Sequence, residues 1–248
     1  MLLLLACLDP PGAPPADDSG THDTAEAWTG PVAPASGVAV EFALGGGAVV
    51  GAEVATLEVP DARGVPAGDG TFTLDAPAGG EGTFTLSAAG LPPIQTGTLD
   101  VPEAGISGVT FQVPDQEMYG LMAAFSGVTP DPAACQIATT VTCLGCDMWH
   151  GPFHGEPGAT VTIEPAVAAG HGPVYFARNS ENGVIYPDPD LTSTSDDGGV
   201  LFLNVPPGRY TLRAQKAGLL FDSRVMRCRE GWLVNASPPY GLNVIGAE

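Results

Sequence analysis

One motif occurs twice in this chain, and it constrains the fold more than any other feature. Asp69 to Gly79, with Thr83 to Leu91 after it, is matched by Asp197 to Gly208, with Arg209 to Leu219 after it. Each copy runs through an acidic-Gly turn, an apolar stretch, a turn ending in Gly, an aromatic-Thr-Leu stretch (Phe84-Thr85-Leu86, Tyr210-Thr211-Leu212) and an Ala-Gly-Leu bend. An internal repeat fixes the number of units before any other argument, because each copy is one supersecondary unit. Two copies of one β-unit are the expectation.

The surrounding texture agrees. From Ser36 onward, short β-branched and aromatic runs alternate with turn residues, which is the pattern of an all-β sandwich or barrel. Expected strands are Val38–Ala43, Val49–Val59, Thr71–Asp75, Thr83–Ala88, Gly97–Val101 and Val109–Val113 in the first set. In the second they are Gln136–Thr142, Ala159–Glu164, Pro173–Arg178, Val200–Val205, Arg209–Gln215, Leu219–Arg227 and Trp232–Asn235. In Thr71-Phe72-Thr73-Leu74 the period-2 alternation sends Phe72 and Leu74 to one face. Between the sets, Met118, Leu121, Met122 and Phe125 are spaced for one face of a short helix over Asp115–Phe125.

The 248 residues include 34 Gly and 25 Pro, about a quarter of the chain, which approaches the composition of disordered proteins. Hydrophobic residues at 44% still permit a core. The formal charge is −20, from 28 Asp and Glu against 8 Lys and Arg. So few cations argue against nucleic acid, whose affinity comes from Lys and Arg that displace counterions, and against a basic patch on anionic lipid. Only Arg63 precedes Arg178, so the basic residues concentrate late in the chain. Arg209, Arg213, Lys216 and Arg224 are expected to form a basic face, since alternate strand positions such as Arg209 and Arg213 project to one side.

Residues 8–35 hold Asp9, Asp17, Asp18, Asp23 and Glu26 among six prolines, with His22 as a solvated side chain. Such a segment is expected to stay extended as a tether. Ahead of it, Leu4-Leu5-Ala6-Cys7 resembles the end of a bacterial lipoprotein signal. That resemblance implies cleavage before Cys7, diacylation of its sulfur and anchoring to the cell envelope by acyl chains. The expected organisation is a signal remnant (1–7), an acidic tether (8–35), a first sandwich (36–114), a linker with a short helix (115–133) and a second sandwich (134–248).

The repeated element, best developed from Asp197 through Val205-Pro206-Pro207-Gly208 and Tyr210-Thr211-Leu212 to Leu219, resembles the carboxypeptidase regulatory-like family. Gly51-Ala52-Glu53-Val54 and Gly158-Ala159-Thr160-Val161 match that family's upstream strand. The resemblance implies two transthyretin-like or immunoglobulin-like β-sandwiches over 36–114 and 134–248. Modules of this type accompany many unrelated proteins, so it implies a binding or structural role with a protein or carbohydrate ligand left open.

No Gly-x-Ser-x-Gly elbow, His-Glu-x-x-His, phosphate loop or Rossmann glycine pattern occurs, and a non-enzymatic protein is expected. Asp188/Asp190 and Asp196/Asp197 do not have calcium-loop spacing and read as solvated turn carboxylates. One segment gathers soft and imidazole ligands: Cys143, Cys146, Met148, His150 and His154. Cys143, Cys146, His150 and His154 are suited to zinc, and Met148 makes copper sensible as well. The segment resembles weakly the copper loops of cupredoxin-like domains, and His171 is a candidate outside ligand. On this reading the alternative to a structural module is a periplasmic metal-binding or redox protein. The other reading is a disulfide framework, with free or redox-active thiols as a third. With Cys7 lipidated, Cys135, Cys143, Cys146 and Cys228 remain, an even number suited to an oxidising compartment. Four cysteines allow three pairings; Cys135–Cys228 with Cys143–Cys146 is favoured, and the short spacer makes the second bridge the more reducible.

Overall fold

Phe72 and Leu74 are buried and Thr71 and Thr73 exposed in β4 (Thr71–Pro77), so period-2 alternation positions this strand against a core. The computed structural model describes residues 25–42, 46–146, 154–236 and 238–247. Over these the chain is all-β with one helix. The first half contributes β1 (Val32–Glu41), β2 (Glu53–Thr56), β3 (Val59–Gly64), β5 (Gly80–Ser87), β6 (Ile94–Val101) and β7 (Ile106–Val113) besides β4. The helix α1 (Gln116–Phe125) follows. The second half contributes β8 (Cys135–Thr142), β9 (Thr160–Glu164), β10 (Val174–Arg178), β11 (Ile185–Asp188), β12 (Gly199–Val205), β13 (Gly208–Gln215), β14 (Leu219–Phe221), β15 (Ser223–Cys228), β16 (Leu233–Ala236) and β17 (Leu242–Ala247).

The sequence repeat is also a repeat of connectivity. β1 lies between β4, antiparallel, and β7, parallel. β8 likewise lies beside β12, antiparallel, and beside β16 and β17, both parallel. β5 is flanked by β2 and β6, and β13 by β9 and β15, all antiparallel. In both copies, therefore, the two strands joined by the Gly-containing turn pair with different neighbours and not with each other. Each half has a main core, one around Phe72, Phe84, Leu86 and Phe111, the other around Ile137, Phe202, Leu212 and Met226.

The halves meet through backbone. β6 pairs with β16 in parallel at Ile94↔Leu233 and Gln95↔Val234, and with β15 at Thr98↔Val225. Gln95 is fully buried at this junction. Its Nε2 donates to the Arg227 carbonyl (2.6 Å), and its Oε1 accepts from Arg229 Nε (2.7 Å). Leu233, from the second half, packs into the first core.

Several expected boundaries are corrected. Residues 32–35, assigned to the tether, are the start of β1, because Ala33 and Ala35 are buried and their backbone pairs with β4. Of the single strand expected over Val49–Val59 only Glu53–Thr56 is formed as β2; the chain then turns at Leu57-Glu58, with Leu57 N–H donating to the Thr83 carbonyl, into β3, which runs on to Gly64. Leu219–Arg227 is broken at Asp222, whose N–H and Oδ1 both bond Asn243 of β17. β11 and β17 were not expected. In α1 the Asp115 carboxylate caps the helix by accepting from Met118 N–H at 2.7 Å. The expected apolar face, however, is mostly open: Met122 is buried while Leu121 and Phe125 are 43% and 56% exposed. Phe125 instead meets Tyr186 with ring centroids 6.0 Å apart.

One buried acid near the junction carries a pH prediction. Glu58 is almost fully buried, accepts from Thr83 N–H at 2.7 Å and lies 3.7 Å from Arg227. Loss of hydration raises its carboxyl above the ordinary value, and the Thr83 bonds and Arg227 charge offset this only in part. A raised native pKa means the folded state holds the proton more tightly. Its stabilisation is therefore complete below the unfolded carboxyl range and lost as pH rises through the native value. Urea unfolding at a series of pH values is expected to show Glu58→Gln gaining stability relative to the parent between acid and neutral pH. A pH-independent difference refutes this.

Candidate functional site

The ligand-rich segment is the loop that leaves β8. Its base is held by backbone: Cys143 N–H donates to the His154 carbonyl (3.0 Å), Glu156 N–H to the Val141 carbonyl (2.8 Å), and Thr142 bridges Gly155. Residues 147–153, with Met148 and His150, lie outside the described residues. So do Cys7, His22 and the tether up to residue 24.

Cys143 and Cys146 are joined by a disulfide across a tight turn whose Gly145 has φ +72°. Cys135 and Cys228 form the second disulfide, tying β8 to β15 with Cα atoms 5.5 Å apart and both residues fully buried. Both thiolates of the proposed Cys2His2 set are thus engaged with each other in this oxidised form. His171 is not drawn into the loop: its Nδ1 lies 2.9 Å from the Leu203 carbonyl, four residues along β12 from the end that faces His154. Among the described residues, no group of three or more His, Cys, Asp and Glu is arranged to hold a metal.

His154 does have acidic neighbours that spacing did not reveal. The loop base packs against the turn before β12, where Gly155 N–H donates to the Asp196 carbonyl at 3.0 Å. Of the acidic pair there, Asp196 is open to solvent and lies 3.6 Å from Arg178, whereas Asp197 is buried. The solvated reading therefore fails for Asp197. Burial raises its carboxyl above the usual range; the charges of His154 and Arg178 and the Gly199 N–H pull it back, while Asp196 pushes it further up. Asp188, by contrast, accepts from Asp190 N–H in an ordinary turn (3.0 Å). The acid-Gly signal marked this turn correctly, but not the close approach of Gly155 to Asp197 and Gly198 that accompanies the burial of the carboxyl.

The expected basic face is neutralised. Arg209 makes a two-pronged contact with Glu81 (2.7 and 2.8 Å), Lys216 pairs with Glu156, Arg224 with Asp222, and Arg213 lies 3.8 Å from Glu164. Arg227 stands between Glu58 and Glu81. The late cations therefore meet acids, and those at Glu58 and Glu81 tie the halves together.

Beside the disulfide loop is an open cleft of about 690 Å³, lined from the first half by Val38, Phe72 and Thr110 and from the second by Cys143, Cys146 and Pro239. No helix among the described residues is long and apolar enough to cross a membrane.

No family model matches the chain, and no curated protein does. Among solved structures the chain is similar to the Bacillus anthracis TIE protein (16% identity, TM-score 0.29, 88% of this chain and 34% of that one). It is similar also to a streptococcal ancillary pilin (9%, 0.25, 74% and 50%) and to GBS52, a minor pilin of Streptococcus agalactiae (8%, 0.26, 87% and 98%). The chain spans about a third and a half of the length of the first two. Likeness at this level assigns no activity.

Proposed function

We propose that this is a non-catalytic protein of the bacterial envelope, held by lipid on Cys7 and an acidic tether, whose two transthyretin-like sandwiches (32–114 and 134–248, joined by 115–133) act as one structural or binding module. The observation that carries this reading is the β6 junction. Domains joined only by a linker move independently by default. Here backbone pairing, buried Gln95 and the Glu58–Arg227–Glu81–Arg209 pairs make a stiff body, which suits a spacer or a display element. A protein or carbohydrate ligand fits this role; nucleic acid does not.

Gln95 is the test of the stiff body. Gln95→Ala removes the bond from Gln95 Nε2 to the Arg227 carbonyl and the bond from Arg229 Nε to Gln95 Oε1, at a cost of about 2 kcal/mol. The parent is expected to unfold in one calorimetric transition and the variant to separate into two. Two transitions in the parent would refute coupling. For the anchor, radiolabelled palmitate should enter the parent and not Cys7→Ala; label in neither removes it.

One observation favours the metal reading. His154 Nδ1 is buried with no hydrogen-bond partner among the described residues. Zinc or copper on Cys143, Cys146, His150 and His154 would require the bridge to be reduced, since the thiolate is the ligand. Elemental analysis of protein purified without chelator, with a thiol titration under denaturing conditions, separates the readings: two disulfides and no stoichiometric metal retire this one.

A further inference from the structure

The two disulfides are placed in opposite ways. Cys135–Cys228 lies in the second core, fully buried, and spans 93 residues. Cys143–Cys146 spans three, beyond the end of β8, with both residues partly exposed and lining the open cleft. Leu144 within its turn is 65% exposed, and a side chain at Gly145 would meet nothing within 4 Å. Exchange needs a thiolate to reach a sulfur, and the partial exposure of both cysteines at the cleft gives it an approach.

The fold also does not depend on this bridge. Closing so short a loop removes little chain entropy, and the loop base is held by the Cys143–His154 and Glu156–Val141 backbone bonds and the Thr142–Gly155 bridge. The sulfur–sulfur bond can open and close while β8 and its neighbours stay in place.

We propose that Cys143–Cys146 is a thiol–disulfide exchange site whose reaction partner is a dithiol. A thiolate of the dithiol attacks one of the two sulfurs, the Cys143–Cys146 bond breaks, and the displaced sulfur leaves as a thiolate that takes a proton from water. The second thiolate of the donor then attacks the donor sulfur of the mixed disulfide and releases the other cysteine. Two electrons and two protons pass to Cys143 and Cys146, and the donor is left as a disulfide. This site stands apart from the structural role and from the lipid anchor, so either reading can fail without the other.

The test uses the oxidised full chain, with dithiothreitol as the dithiol and no denaturant, quenched at intervals with iodoacetamide and read by peptide mass spectrometry. Cys143 and Cys146 are expected to be alkylated together, about 100-fold or more faster than Cys135 and Cys228, in keeping with their access. The heat-unfolding transition should stay cooperative with this bridge open. Opening only together with Cys135–Cys228, or only after guanidinium unfolding, overturns the proposal. A second measurement separates exchange from mere reducibility: Cys146→Ser, with Cys143 left as the thiol of the pair, should take up glutathione on the Cys143 peptide from oxidised glutathione without denaturant, and no uptake at Cys143 also overturns it.

Discussion

Removing the Cys135–Cys228 bridge is expected to cost about 4–5 kcal/mol, the largest effect of any disulfide change in this chain. The estimate rests on the sequence separation of 93, because cross-linking a long loop removes most freedom from the unfolded ensemble. The site adds to it. Both cysteines are fully buried in the second core, so Cys135→Ala with Cys228→Ala also removes two sulfurs from close packing. Set against a usual total of about 5–15 kcal/mol, this takes a large share of the stability. Cys143→Ala with Cys146→Ala should cost less than about 2 kcal/mol, since that loop spans three residues. Guanidinium unfolding of the two double variants checks the contrast, and equal midpoints would refute it.

What the sequence made legible was local. The alternation of Phe72 and Leu74, the Asp115 cap and the repeated Asp-Gly turns each follow from neighbours a few residues apart, and the all-β class follows with them. What it hid depends on residues far apart. Glu58 has the composition of a surface turn, yet it is buried because Thr83 and Arg227 come to it from distant strands. Arg209 and Lys216 look like a basic face until Glu81, 128 residues away, and Glu156, 60 away, are placed against them. The burial of Gln95 has no local signature either, because the alternation of β6 shows which side chains share a face and not that the strand edge adjoins a second sandwich. At the site, clustering of Cys143, Cys146 and His154 was visible in one line of sequence, while Asp197 came to it only through the close approach of Gly155 to Gly198.

That close approach makes Gly198 a sensitive position in the second unit. Gly198 has φ +77°, and a Cβ there would run into the Val141 carbonyl and the Gly155 Cα. Both obstacles are backbone, so no side chain can rotate away. Its carbonyl also accepts from Val141 N–H at 2.9 Å, the bond that aligns the start of β12 with β8. Gly198→Ala therefore adds about 1–2 kcal/mol of left-handed strain to a displaced strand bond worth about 1 kcal/mol, about 2–3 kcal/mol in all. Gly70 repeats the arrangement in the first unit: φ +81°, a Cβ crowded by the Ala39 carbonyl, and a bond from Ala39 N–H at 2.9 Å. Gly70→Ala should cost a similar amount if the two copies are one design. Gly183 is the control, with φ +71° but open space around it, and there alanine should cost only the strain, about 1–2 kcal/mol. Urea unfolding of the three variants decides the matter. A Gly198→Ala loss no larger than that at Gly183 would show that the turn yields, and that the acidic-Gly motif marks a bend without holding β12 to β8.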